Sequence, residues 1–110
     1  METTVKIIKE YIAKDGKNHF REWLDNLKDI KTQTKIDIRI SRLRLGNFGD
    51  TKGVGQGVYE LRIHFGPGYR VYYGLVGNKI VLLLCGGDKR TQKKDIKKAV
   101  NHWEEYQGGE

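Results

Sequence analysis

"VYELRIHFGPGYRVYYGLVGNKIVLLLC", residues 58–85, has the pattern of three strands joined by two tight turns. Tyr59, Leu61, Ile63 and Phe65 alternate with Glu60, Arg62 and His64, which predicts a strand with one apolar and one charged face. Gly66-Pro67-Gly68 supplies a turn, and YRVYYGLV (69–76) the next strand. Gly77-Asn78 is a second hairpin signal, and the unbroken apolar run IVLLLC (80–85) predicts a central strand covered on both faces.

Outward from this meander, Gly86-Gly87-Asp88-Lys89-Arg90 marks a strand exit. Residues 91–106 then read as a helix, with Ile96, Ala99, Val100 and Trp103 inward and Lys93, Lys94, Lys97 and Lys98 outward. Before the meander, GNFGDTKGVGQG (46–57) carries five glycines in twelve residues and predicts a loop. Residues 31–45 place Ile36, Ile40 and Leu43 on one helical face beside Lys35, Arg39 and Arg42, with Gly46 as the stop. A preceding helix is N-capped by Asn18 and carries Phe20, Trp23, Leu24 and Leu27 in one stripe, and residues 5–11 predict a first strand. The expectation is an α+β fold in one domain, 1–110. Its antiparallel sheet consists of the N-terminal strand plus the three-stranded meander, with two N-terminal helices and one C-terminal helix.

The formal charge of +7 favours polyanionic partners. No apolar run approaches the roughly 20 residues of a membrane span, and METTVKIIKE lacks a signal-peptide core, which points to the cytoplasm and away from membranes. Cys85, inside the apolar run, reads as a buried reduced thiol. His19, His64 and His102 lie far apart in sequence and no H-E-x-x-H spacing occurs, so no metal site and no cofactor is expected. The one serine, Ser41, sits mid-helix, and the glycine-rich stretch lacks the Gly-Lys-Ser/Thr step of a P-loop.

Phosphate chemistry done by cations remains. Arg62 and Arg70 lie on consecutive antiparallel strands, and Arg90, beside Lys89, follows the third, so neighbouring strands each deliver a guanidinium fork suited to phosphate. In RNA the adjacent 2'-OH attacks the backbone phosphate, and arginines supply charge stabilisation without a metal. Glu60 is the candidate to take the 2'-OH proton, with His64 the spare. Lys52, Lys89 and Lys93 extend a basic surface toward an RNA backbone, and Tyr72 shares parity with Arg70, so it either stacks on a base or packs. The plain alternative for Arg62 and Glu60 is a surface ion pair, and for the lysines a solvated helix face.

The segments VYELRIHFGPGYRVYYG and IVLLLCGGDKRTQKKDIKKA resemble the RelE/HigB-type toxins of bacterial toxin–antitoxin modules, in the subgroup called addiction-module killer proteins. The resemblance spans about residues 46–100. It implies a microbial-ribonuclease-like fold and an endoribonuclease that cleaves mRNA in the ribosomal A site. It also implies an antitoxin from the adjacent gene, of helix-turn-helix type, and a toxin–antitoxin complex that binds operator DNA. The family's catalytic phosphate ligand in the G-Y-R step falls on Arg70, the basic residue of the preceding strand on Arg62, and the K-R pair on Lys89 and Arg90. Some members carry a lysine in place of Glu60. The C-terminal aromatic or histidine that some members use falls near Ile96, with His102 and Tyr106 as distant substitutes. Two rival readings are a ParE-like gyrase poison and a non-catalytic nucleic-acid or protein-binding module.

Overall fold

The meander forms the centre of a five-stranded sheet. The structure, a computed structural model, describes residues 5–108, so positions 1–4 of the leader reading and the two ends of the expected 1–110 domain lie outside the described residues. In chain order the elements are β1 (Ile7–Glu10), α1 (His19–Asn26), α2 (Ile30–Arg44), β2 (Thr51–Gly55), β3 (Val58–Ile63), β4 (Tyr69–Val76), β5 (Ile80–Asp88), a 3₁₀ turn (Lys89–Thr91) and α3 (Gln92–Gly108). The sheet order is β1-β5-β4-β3-β2. The α+β class and the three helices agree with the sequence reading.

Three features differ from the expectation. β1 pairs parallel to β5, with Ile7 opposite Ile80, so the sheet is mixed. The glycine-rich stretch contains β2, which pairs antiparallel with β3 and carries a register shift between Gly53 and Gly55. A glycine-rich edge strand needs no side-chain packing of its own when its partner, β3, is already fixed in the core. Finally, β5 continues through Gly86 and Gly87 to Asp88, because β4 supplies ladder partners that far.

The two helical caps follow from local chemistry. Asn18 Oδ1 accepts the Arg21 amide at 2.9 Å, and Asp29 Oδ1 accepts that of Lys31 at 3.1 Å. α1 and α2 then bury Phe20, Leu24, Ile36 and Leu43 against Leu61, Ile63, Val71, Tyr73, Val81 and Leu83 on one face of the sheet. On the other face α3 packs Ala99 and Trp103 over Val58, Tyr72, Leu82, Leu84 and Cys85. Burial pushes the Cys85 thiol up to about 12, which suits an inert core residue.

Each face seats one tryptophan on a strand glycine. A Cβ at Gly74 would overlap the Trp103 ring, and one at Gly86 the Trp23 ring. Gly74→Ala therefore overpacks the core and is expected to cost about 1–3 kcal/mol, read as a lower urea midpoint at unchanged m value.

Candidate functional site

β3 and β4 carry the candidate residues on the α3 side of the sheet. Val58 and Tyr72 pack beneath α3, and residues of the same parity, Glu60, Arg62 and Arg70, share that face. The register sets Arg62 directly opposite Arg70, and Arg70 opposite Gly87. The next row across the sheet is Lys52, Glu60, Tyr72 and Cys85. Lys52 thus lies across from Glu60 on a strand rather than in a loop.

Two guanidinium groups opposite one another repel, so the pair needs an anion between its members. Glu60 is that anion. Its side chain is fully buried, and Oε1 accepts Arg62 Nε at 3.0 Å and Arg70 Nη1 at 3.1 Å. Oε2 accepts the Tyr72 hydroxyl at 2.9 Å and Gln92 Nε2, from the first turn of α3, at 2.8 Å. Burial alone pushes the Glu60 carboxyl up, but the hydrogen bonds from Arg62, Gln92 and Tyr72 and the charge of Arg70 outweigh it and hold it below the usual value of 4.5.

Glu60, expected as the proton acceptor, is a carboxylate with no exposed edge. A buried carboxylate with both oxygens doubly engaged has no open lone pair aimed at a substrate, and its lowered pKa makes it a weak base. It ties the two arginine side chains to one oxygen. Tyr72, read as either stacking on a base or packing, is packed, with 0% exposure. Its hydroxyl holds Glu60 from below, and burial, with the carboxylate beside it, raises its pKa far above normal.

Of the remaining candidates, His64 and Lys89 line one open depression with Arg70, of about 350 Å³, closed at one end by the 66–68 turn. His64 is exposed, and its Nε2 is hydrogen-bonded to Asp50 Oδ2. Arg90 stands apart from Glu60: its side chain is 83% exposed and its Nη2 reaches only Asp88 Oδ2, at 3.4 Å. Lys93 is exposed at the start of α3. His102, ten residues beyond Gln92 and hence about 15 Å along the helix, is buried against His19 and Tyr11. Tyr106 stacks on Trp103. The structure brings neither of the last two into the arginine cluster. Among the described residues, no group of three or more His, Cys, Asp or Glu side chains is placed to hold a metal ion.

Sequence reasoning missed four supporting residues. Gln92, the fourth donor to Glu60, carries no sequence signal, because only the docking of α3 brings it there. Asp50 supports this region twice, pairing with His64 and accepting the Arg62 amide on its carbonyl at 2.9 Å. Asp88 did carry a signal: Asp88-x-x-Thr91 forms a capping box that fixes the turn bearing Lys89 and Arg90. Arg39, read only as a helix-face cation, donates Nη1 to the Arg62 carbonyl at 2.7 Å and braces that strand from the opposite side.

Comparison with known proteins places this arrangement in a family. The chain is 55% identical over 80 residues to an uncharacterized protein of Haemophilus influenzae, a match covering 73% of this chain and 81% of that relative. The family described as phage derived protein Gp49-like (DUF891) matches residues 22–104, which take in most of α1, all of α2 and the whole arginine cluster. With a match of that extent, the chain belongs to the Gp49-like phage-derived proteins, a toxin-like family of addiction modules.

Proposed function

We propose that this protein is the toxin of a toxin–antitoxin pair and acts as a metal-independent mRNA endoribonuclease of the RelE/HigB type, cutting mRNA in the ribosomal A site in the cytoplasm. The observation that carries the reading is the Arg62–Arg70 pair, set opposite in register and tied to one buried carboxylate. A guanidinium has five N–H donors, and each arginine spends one on Glu60, so donors remain for a phosphate. Because Glu60 holds both groups before substrate arrives, little reorganisation is needed as charge grows on the pentacovalent phosphorane.

In this mechanism the 2'-OH attacks the adjacent phosphorus and the 5'-oxygen departs, giving a 2',3'-cyclic phosphate. Arg62 and Arg70 stabilise the equatorial oxygens, while Lys89 and Arg90, on the capped turn, hold the flanking backbone. Lys52 and Lys93 extend the same basic surface. His64 takes over the proton role first expected of Glu60. It lies in the depression with Arg70, and Asp50 orients its ring much as a carboxylate orients a catalytic imidazole. The partners of this reading are mRNA on the ribosome and an antitoxin. The antitoxin is encoded beside the toxin, is of helix-turn-helix type, and binds operator DNA in complex with the toxin.

The test is to incubate the purified protein with end-labelled mRNA, free and on programmed ribosomes. Cuts at the A-site codon ending in cyclic phosphate are the expected result, and His64→Gln should lower the cleavage rate of a protein that still folds. Intact RNA in both lanes from a folded sample rejects the nuclease reading, leaving the gyrase poison or the binding module.

A further inference from the structure

α1 and α3 cover opposite faces of the sheet, yet they touch through two histidines. The ring of His19, the first residue of α1, lies 4.6 Å from that of His102 and is tilted to it by 37°. Tyr11, directly after β1, packs on the His102 ring at 5.5 Å, meets Tyr106 edge-on and donates its hydroxyl to Glu105 Oε1 at 2.9 Å. Trp103, next to His102 in the chain, is the ring seated on Gly74. The contact between the two helices therefore helps to fix the C-terminal turns of α3.

His102 is the weak point of this contact. It is only 8% exposed, and neither Nδ1 nor Nε2 has a hydrogen-bond partner among the described residues. A neutral imidazole then leaves one donor and one lone pair unmet, whereas an imidazolium would bury a charge together with two unmet donors. The groups around it do not compensate such a charge. From α1 comes His19, with Glu22 on its next turn, and from the turn before α1 comes Asp15, whose Oδ2 lies 3.7 Å from His19 Nε2. On α3 itself Lys98 stands one turn earlier, and Lys94 and Lys97 line the same face. Glu105 Oε1 is 3.9 Å from His102 Nδ1, beyond hydrogen-bond reach, and is occupied by the Tyr11 hydroxyl. Burial first, then the neighbouring His19, with Lys98 adding to both, hold the His102 pKa below the usual 6.5 against the pull of Glu105 and Asp15.

We infer that the His19–His102 contact is an acid-sensitive joint: a proton taken up by His102 separates the C-terminal turns of α3 from α1 and Tyr11, while the first turn of α3 stays in place. The proton comes from bulk water and binds the ring nitrogen that carries the lone pair, and the imidazolium gains hydration only when the ring leaves its buried position. The first turn of α3 has anchors that involve no histidine, the Asp88–Thr91 capping box before it and the bond from Gln92 to Glu60. In the unfolded chain His102 titrates near 6.5 and in the folded protein lower. The stabilisation from this joint is therefore complete above about pH 6.5 and is lost as pH falls through the folded value.

The test is a pH titration of the full chain by NMR, following the histidine ring resonances together with amide-exchange protection factors corrected for intrinsic rates. Between about pH 7.5 and about pH 5, protection of the amides in 99–106 is expected to fall at least about tenfold in the wild type. In His102→Phe, which keeps an aromatic ring and removes the titrating group, it should stay within about twofold. The acid-induced shifts should gather on Tyr11, His19 and 98–106, with the amides of Tyr72 and Gln92 unmoved. His19→Gln, at a half-buried position, removes the neighbouring cation and should raise the His102 midpoint. A wild-type His102 midpoint at or above 6.5, unchanged protection of α3 in acid, an equal loss in His102→Phe, or a His102 midpoint that His19→Gln leaves in place overturns the inference. The wild-type titration and His19→Gln decide it even if His102→Phe does not fold. None of these readouts involves RNA, so the joint stands or falls separately from the nuclease reading.

Discussion

Arg70→Lys is expected to lower the cleavage rate about 100-fold while leaving the protein folded, the usual consequence of removing one preorganised donor from a developing oxyanion. The charge survives the exchange and the planar fork does not, so the loss isolates geometry from net charge. Arg70→Ala is the poorer test. The Arg70 side chain is only 11% exposed and its Nη1 bonds the buried Glu60, so truncation also strips that carboxylate of a partner. Breaking a buried pair costs about 3–5 kcal/mol and would confuse lost folding with lost chemistry. Single-turnover cleavage of ribosome-bound mRNA, with a thermal melt of the same sample, separates the two. A folded Arg70→Lys protein that cuts at the wild-type rate would remove the phosphate role of Arg70.

Glu60→Gln should produce the largest fall in stability of any single exchange near the site. The amide puts an NH₂ group where the carboxylate accepts two donors, and it cancels the charge between Arg62 and Arg70. About 3–5 kcal/mol is the cost of leaving such buried partners uncompensated, or more than about 10 °C in Tm for a domain of this size. The sign with pH follows from the lowered carboxyl pKa. In the unfolded chain the carboxyl titrates near 4.5, and in the folded protein lower. The stabilisation is therefore fully present above about pH 4.5 and is lost as pH falls through the folded value. Wild type and Glu60→Gln should differ most near neutrality and converge in acid. If Tm curves run parallel down to about pH 3, Glu60 is not the charged hub described here.

The strongest parts of the sequence reading rested on local signals that tertiary contacts had no reason to override. Alternation in 58–65, the Gly66-Pro67-Gly68 turn and the apolar run to Cys85 each describe a strand or turn from within a few residues. Strand β2 escaped notice because five glycines erase the alternation that reveals a strand, and its existence depends on the edge that β3 offers. The arginine pair was legible because a tight hairpin leaves few registers. The role of Glu60 was not, since a carboxylate on a polar strand face looks the same whether it meets water or four donors.

A bulge shows where sequence parity stops. β4 and β5 shift register between Tyr72, opposite Cys85, and Tyr73, opposite Leu83, so Leu84 is extra. Beyond it the faces exchange: Gly86 turns toward Trp23 of α1, and Gly87, opposite Arg70, turns toward Asp95 of α3. Counting alternate residues along Ile80–Asp88 assigns those glycines to the wrong sides.

What the amino-acid order by itself determined is the α+β class, the helix start at Asn18, the meander, the basic character, and the presence of Arg62 and Arg70 on adjoining strands. These follow from periodicity, capping and turn chemistry, all set by near neighbours in the chain. Only the tertiary structure decided that β1 runs parallel to β5, that Glu60 is buried beneath Tyr72 and Gln92, that Arg90 stands apart, and that Arg39 braces Arg62. The β1–β5 pairing, the Gln92–Glu60 bond and the Arg39–Arg62 brace each join residues more than 20 positions apart across a sheet or under a helix, and the strength of a charge there is set by its burial and partners.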